Sequence, residues 1–314
     1  MSNPLLEQHE LPPFSRVSPA DVEPAITRLI ERNKQAIEAI LADHSRYHWD
    51  NLWRAIEQMD DELAQAWSPV SHLNGVANSE ELRAAYNACL PLLSEYATWS
   101  GQHSGLYEAY RQIAEGEEFA TLDAAQQKAI SNVLRDFRLA GVALPEEQKQ
   151  QYGRLRKRLS ELGSQFSDNV LDATNAWSRH VSEEELAGLP ATALANARQA
   201  AQQAGLEGCL ITLEFPSWYP VLAYCEKAAL REEVYRANVT RASDEGPHAG
   251  QWDNSAIIEE TLALRRELAR LLGFANYAEL SLATKMADSP AQVRAFLEQL
   301  SRQSRAQALQ EWRE

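Results

Sequence analysis

Residues 252–286 constrain the fold of this chain more than any other segment, because they encode a helix, its stop and the start of another helix. Apolar side chains recur at helical spacing over residues 257–271, and charged side chains occupy the opposite side. Gly273 stands where a left-handed C-cap residue belongs, and Phe274 follows it as in a Schellman motif. The pattern predicts a helical corner, with a second helix beginning near Asn276.

Helical patterns also fill most of the remaining chain. Ser18 and Ser79 each precede an apolar stripe of helical period and have the residue type of an N-cap. Pro145 opens a very long helix that is expected to reach about Val181. Helix follows helix with short connections, so the sequence predicts a multi-helix array, and the lack of a fixed repeat disfavours a solenoid.

Two places are predicted to interrupt the helical pattern. The Ser-Pro pair at residues 68–69 and the Asn-Gly pair at residues 74–75 indicate a turn, so the preceding helix should end near Trp67. Residues 209–215, CLITLEF, alternate in polarity and are rich in β-formers, which predicts a short strand or extended pass. The predicted fold class is therefore all-α with one short β-like segment near 209–215.

The length of 314 residues lies near the size at which one hydrophobic core tends to split into two. We expect one helical lobe over 1–314, and a division into two subdomains of about 1–181 and 182–314 is the alternative. A last helix begins at Ser289 and is still running at Glu314, with no glycine, proline or turn cluster to end it. That end resembles a cut, whether natural or engineered.

Composition excludes several classes of function. The net charge of −15 argues against nucleic acid as a partner, because phosphate binding depends on Lys and Arg. Three cysteines without paired spacing favour a reducing, cytoplasmic setting over a disulfide framework. The first residues lack a basic leader with an apolar run, and no segment approaches about 18 uninterrupted apolar residues, so neither secretion nor membrane insertion is expected.

Several long segments carry a resemblance to a known family. They are RASDEGPHAGQWDNS at residues 241–255, together with the corner that follows it, NPLLEQHELPPFSRVSPADVEPAI at 3–26, SPVSHLNGVANSEELRAAYNACLPLLSEYATWSGQH at 68–103, and RLSELGSQFSDNVLDAT at 158–174. These segments resemble the amino-terminal half of the oligopeptidase A and thimet oligopeptidase family of zinc metallopeptidases. Because they are spread over nearly the whole chain, the resemblance is far more specific than a short motif.

The resemblance implies a mostly helical, two-lobed peptidase whose deep channel admits only short peptides. In that family, zinc and the catalytic glutamate belong to the carboxyl-terminal half, and this chain resembles the amino-terminal lobe that walls the channel. The implied partners are short peptides and the protein's own carboxyl-terminal lobe, and the implied cofactor, zinc, lies outside this chain. No zinc ligand or catalytic residue of the family transfers to a position here.

The family's chemistry needs His-Glu-x-x-His on a helix, because two histidines four residues apart then share one face. His9-Glu10 lacks the second histidine and is followed by prolines, so an ordered polar arm is the simpler interpretation. His44 and His48 have the spacing, but Ser45 stands where the glutamate belongs. The remaining histidines are isolated in sequence and are read as packed, capping or surface residues: His72, His103, His180 and His248.

Other reactive or charged groups are also read as structural. Cysteines are usually small buried hydrophobes. A solvated helix face or ion pairing explains the basic cluster on the long helix, and helix-start electrostatics explain the acidic run near residue 184. These groups comprise Cys89, Cys209 and Cys225, then Arg154, Arg156, Lys157 and Arg158, then Glu183, Glu184 and Glu185. An aromatic group, Phe215, Trp218, Tyr219 and Tyr224, could line a groove or the channel, or belong to the core.

The sequence therefore predicts no catalytic, cofactor-binding or metal residue in this chain, and whether the chain is an enzyme stays open. The first hypothesis is a channel-wall part of a zinc-dependent metallo-endopeptidase that hydrolyses short peptides, inactive by itself. The alternative is a free-standing helical binding or regulatory module derived from such a peptidase. The fragment hypothesis predicts an exposed apolar patch larger than the few hundred Å² typical of soluble monomers.

Overall fold

A computed structural model describes residues 3–7, 9–43 and 46–314. Within them the chain is mainly helical with a single two-stranded sheet, which confirms the predicted fold class. The elements in chain order are α1 Pro19–Asp43, α2 Arg54–Val76, α3 Glu80–Gly101, α4 Ser104–Glu115, α5 Ala124–Leu139, α6 Glu146–Ala176, β1 Ser178–Val181, α7 Ala191–Gln203, β2 Cys209–Thr212, α8 Phe215–Tyr224, α9 Ala228–Val239, α10 Ser255–Leu271, α11 Tyr277–Leu282 and α12 Pro290–Arg313.

Backbone contacts divide the chain into two compact units. The first contains residues 1–160 and 262–314, and the second contains residues 161–261. The chain passes from one unit to the other within α6 and within α10. The sequence-based subdomains of about 1–181 and 182–314 stay a prediction.

The first unit begins with an extended arm and then packs α1 against α2 and α3. The inner face of α1 is fully buried, with Val22 and Ile26 at 0% exposure, and Val70 of α2 and Cys89 of α3 are equally enclosed. Ser79 caps α3 as predicted, since its side chain accepts a hydrogen bond from the Leu82 amide. The apolar stripes seen in the sequence therefore form this core.

The end predicted for α2 is wrong. The helix does not stop near Trp67 but continues through Pro69 and Gly75 to Val76. A proline inside a helix forfeits one backbone hydrogen bond and costs about 3 kcal/mol. Pro69 is buried, and the adjacent Val70 is fully buried in the core with residues of α1 and α3, so packing of this segment offsets the local cost.

Two further clusters complete the first unit. One lies around α4 and α5, where Ile113, Ile130 and Phe137 are buried together. The other joins α6 to α10 through Tyr152 and Leu268. Each helix of these clusters thus places one apolar stripe inside the unit.

The predicted glycine corner is present at the end of α10. Gly273 has a φ of +82°, the Phe274 amide donates to the Ala269 carbonyl at 2.9 Å, and the Gly273 amide donates to the Arg270 carbonyl at 3.0 Å. These two bonds are the Schellman pattern. Asn276 then caps α11, as its side chain accepts from the Glu279 amide.

The second unit holds the only sheet of the described residues. Strands β1 and β2 pair antiparallel, with Ser178 opposite Thr212 and Val181 opposite Cys209. The prediction that α6 reaches Val181 is therefore wrong, because residues 178–181 pair with β2 and bury Val181, which outweighs their helical pattern. The predicted β segment is confirmed, although its strand ends at Thr212 and Phe215 already begins α8.

Candidate functional site

The histidines of the amino-terminal arm and α2 make structural contacts. Nε2 of His9 lies 3.1 Å from the Pro4 carbonyl oxygen and 3.5 Å from a Glu7 carboxylate oxygen. The ring of His72 packs against Phe14, with ring centres 5.3 Å apart. Neither ring is grouped with carboxylates in a metal-binding arrangement.

Two histidines act as helix caps. Nδ1 of His48 accepts from the Asn51 amide at 3.4 Å, and Nδ1 of His103 accepts from the Leu106 amide at 3.1 Å. Nε2 of His103 is 3.0 Å from a Glu38 carboxylate oxygen. A ring nitrogen that accepts from a backbone amide satisfies one of the free donors at a helix start.

The last two histidines belong to the second unit. The ring of His180 hydrogen-bonds the Glu207 carbonyl, and His248 packs edge-on against Trp252. His44 lies outside the described residues. Over residues 3–7, 9–43 and 46–314, no group of three or more His, Cys, Asp or Glu side chains could hold a metal ion. The expectation of no metal residue in the whole chain stays a prediction.

The three cysteines are free and buried. Burial raises the pKa of the Cys89 thiol to about 11, and burial also raises the pKa of Cys209. The Cys225 thiol donates to the Glu185 carbonyl at 3.3 Å. A thiol that is enclosed and protonated has little nucleophilic character.

Much of the charge singled out by sequence is in ion pairs. On α6, Lys157 lies 2.7 Å from Glu95, whereas Arg154 and Arg156 are exposed. In the second unit, Arg198 binds both carboxylate oxygens of Glu183. The hydrogen bonds from Arg198 lower the pKa of that carboxylate. These are the solvated pairs expected of helix faces.

The aromatic group separates into inner and outer members. Trp218 packs against the core of the second unit, while Phe215, Tyr219 and Tyr224 are 63%, 47% and 54% exposed. Phe215 and Tyr219 stack with ring centres 5.0 Å apart and planes 14° apart, and Trp218 stands nearly perpendicular to both. We call Phe215, Trp218 and Tyr219 the aromatic triad.

An open groove that the sequence did not indicate runs between the arm, α1 and α2. Its volume is about 1180 Å³, and it is lined by prolines of the arm and of both helices. Two ion pairs involve its charged lining residues, Glu7 with Arg16 at 2.8 Å and Arg32 with Glu62 at 2.6 Å. Surface pairs of this kind help to hold the walls of the groove together.

The terminal helix α12 has no buried residue along its 24 residues. Its apolar side chains are nonetheless concentrated on one side by helical spacing, and Leu297 and Leu300 are 57% and 46% exposed. Phe296 and Trp312 extend the exposed apolar surface, at 59% and 85%. We call Phe296, Leu297, Leu300 and Trp312 the α12 stripe. The predicted patch was defined by its area, so it stays a prediction.

Comparison with known proteins identifies the family of this chain. Residues 26–149 match the family described as Neurolysin/Thimet oligopeptidase, N-terminal domain, and residues 221–314 match Peptidase family M3. Oligopeptidase A of Escherichia coli K12 is 55% identical over 312 residues, which is 99% of this chain. The chain belongs to peptidase family M3.

Other M3 relatives show the same coverage. Oligopeptidase A of Haemophilus influenzae is 54% identical over the full length of this chain, and the probable cytosolic oligopeptidase A of Arabidopsis thaliana is 37% identical over 91% of it. The chain spans 46% of the length of the two bacterial relatives and 41% of the plant one. The aromatic triad falls between the two family matches. Among the described residues, no helix is long and apolar enough to cross a membrane.

Proposed function

We propose that this chain is the amino-terminal, channel-wall part of a zinc-dependent metallo-endopeptidase that hydrolyses short peptides, and that it is inactive by itself. The support is its M3 membership and its likeness to about half the length of proteins named oligopeptidase A. The names of those relatives suggest peptide substrates. The same support favours a helical wall over a catalytic centre in this part of the family.

The single observation that carries the proposal is the solvent exposure of the terminal helix α12. An apolar stripe on a 24-residue helix without a buried residue is typical of a surface that packs against another body. A carboxyl-terminal lobe of the same protein is the partner that fits, because the relatives extend by more than half their length beyond the matched part. Packing of that lobe would bury Leu297 and Leu300.

The residues described here do not fit a zinc site, since no cluster of candidate ligands is present among them. We therefore derive no catalytic step from this chain. In the proposed whole enzyme, zinc and the catalytic glutamate are supplied by the carboxyl-terminal lobe, and this chain shapes access to them. A cytoplasmic setting is proposed with it, supported by the cytosolic name of the plant relative and by three unpaired thiols.

The test is reassembly of a split enzyme. We expect that the 314-residue chain, mixed with the separately produced carboxyl-terminal part of Escherichia coli oligopeptidase A, hydrolyses an internally quenched peptide in a zinc-dependent way. Leu297→Asp should lower the yield of active complex about tenfold or more, because it places a charge in the proposed interface. Ala306→Asp adds the same charge nine residues along, on the opposite side of α12, and should have little effect.

Two outcomes contradict the proposal. Chelator-sensitive hydrolysis by the chain alone would overturn its inactivity. If the chain does not assemble with the carboxyl-terminal part, or if Leu297→Asp leaves the yield of active complex unchanged, the alternative of a free-standing binding or regulatory module is favoured.

A further inference from the structure

The aromatic triad presents two exposed rings, Phe215 and Tyr219, on the second unit, and the proposed scaffold role does not explain them. Glu214 precedes α8 as its N-cap residue without a side-chain capping bond, and Phe215 begins the helix. Phe215 and Tyr219 stack on each other, so each ring covers one face of its neighbour and keeps much of its own surface in solvent. Two large aromatic side chains are exposed together here, and the exposed Glu214 directly precedes Phe215 in the chain, a combination that favours a ligand-binding surface.

The triad is also preorganised. Trp218 is partly buried against the core of the unit and meets both outer rings edge to face, at ring-centre distances of 5.5 and 5.9 Å. Ser217, within the same turn, accepts a hydrogen bond from the Thr212 amide at the end of β2. The rings are thus held against strand and core before any ligand arrives, which lowers the entropic cost of binding.

Charge decides what kind of ligand fits. Residues 161–261 contain 16 acidic and 6 basic side chains, whereas the rest of the chain contains 29 and 24. Most of the net charge of −15 therefore lies on the unit that carries the triad. An acidic field concentrates cations, and aromatic faces attract ammonium and guanidinium groups within about 6 Å of the ring centre.

We infer that the aromatic triad and Glu214 form a binding subsite for the Lys or Arg side chains of short peptides. The cationic group lies on the exposed aromatic surface and its charge is balanced by Glu214. This inference rests on the proposed function, since it names the class of peptide that the wall would select. The same surface would give a free-standing module its ligand, so its test does not require the catalytic lobe.

The test is calorimetric titration of the 314-residue chain with a capped glycine/arginine peptide and with the same peptide carrying citrulline at every arginine. Citrulline keeps the shape and removes the charge, so we expect at least about fivefold weaker binding. Raising the salt concentration to about 0.3 M should weaken binding of the arginine peptide several-fold and leave the citrulline peptide nearly unchanged.

Variants separate the subsite from a general acidic attraction. Tyr219→Leu and Phe215→Leu keep apolar bulk but remove an aromatic ring. Each should weaken binding of the arginine peptide about fivefold. Glu214→Gln should weaken binding of the same peptide about threefold. The matched controls are Tyr235→Leu and Glu232→Gln, an exposed tyrosine and an exposed acid of α9 in the same unit, which should bind like the parent.

Equal binding of the two peptides would overturn the inference. So would unchanged binding by the triad variants, because attraction would then come from the acidic unit as a whole. If the titrations show no subsite but the split enzyme reassembles, the proposed function still holds. If the titrations show the subsite but the split enzyme does not reassemble, only the proposed function is contradicted.

Discussion

At the scale of the residue, Asp60 shows how position changes chemistry. Desolvation of its carboxyl by neighbouring groups raises its pKa to about 6, with the like charge of Glu57 as the second cause, although the residue as a whole is exposed. Burial first, and the charge of Asp60 second, also raise the pKa of Tyr96 and of Tyr110. Glu57 is a near neighbour in the sequence, but Tyr96 and Tyr110 belong to later helices, so the coupling between Asp60 and these tyrosines arises only in the folded chain.

Replacing Asp60 with Asn should stabilise the chain near neutral pH. The folded protein holds this proton up to about pH 6, whereas the unfolded chain releases it near 3.8, so stability is lost as pH rises through about 6. Allowing for solvent screening, we expect a gain of about 1 kcal/mol at about pH 7 and none at about pH 4. Urea unfolding at both pH values measures this change in the free energy of unfolding, and Asp61→Asn is the charge-matched control. A gain equal at both pH values would contradict the explanation.

Two glycine-to-alanine substitutions, at Gly273 and Gly163, test the backbone conformation of the corner after α10. Gly273→Ala should cost about 1 kcal/mol, because a φ of +82° is strained for any residue with a Cβ even though no atom lies within 4 Å of it. Gly163→Ala also enters open space but lies inside α6, so it should stabilise by up to about 1 kcal/mol. Thermal or urea unfolding gives both values, and changes of the same sign would show that backbone conformation does not decide the outcome.

At the scale of the element, α10 and α12 differ in what covers them. Both have an apolar stripe in the sequence, yet Leu268 of α10 is 3% exposed and Leu300 of α12 is 46% exposed. Helical period identifies a face that prefers burial, but it does not identify the partner. The same reasoning explains α2. The sequence predicted that this helix ends near Trp67, because the proline at position 69 disfavours a helix and the packing that buries it is not visible in the sequence.

The contrast between these helices is measurable. Leu268→Ala should destabilise the chain by about 3 kcal/mol, because it opens a cavity in the cluster with Tyr152 and Leu155. Leu300→Asp should change the free energy of unfolding by less than about 0.5 kcal/mol, since the site is already in water. Chemical denaturation of both variants checks this, and a large loss in Leu300→Asp would mean that α12 packs within this chain.

At the scale of the whole molecule, the three thiols report on both units. Cys89 belongs to the first unit, and Cys209 and Cys225 belong to the second. We expect all three to react with a chromogenic disulfide reagent at least about a hundredfold more slowly in the folded chain than in denaturant, because reaction requires local opening. Three thiols should be released on denaturation. One rapidly reacting thiol in the native chain would locate a unit that opens easily.

The family and the helical class could both be read from the sequence. Long matched segments identify M3 peptidases, and the local rules of capping and period are strong at Ser79 and at Gly273. The candidate surfaces could be read only in part. Phe215, Trp218 and Tyr219 stood out as an aromatic group, but spacing on a helix does not distinguish a ring that enters the core from one that meets water.

The sequence by itself determined which family the chain belongs to, the helix cap at Ser79, and that residues 252–286 turn a corner at Gly273, but it misplaced the ends of α2 and α6. Tertiary structure decided what each apolar face meets. It converted the end of the predicted long helix into β1 by pairing Val181 with Cys209, and it left Leu300 and Trp312 of α12 in solvent. The physical reason is that capping and period act within a few residues, whereas strand pairing and burial depend on partners distant in the chain.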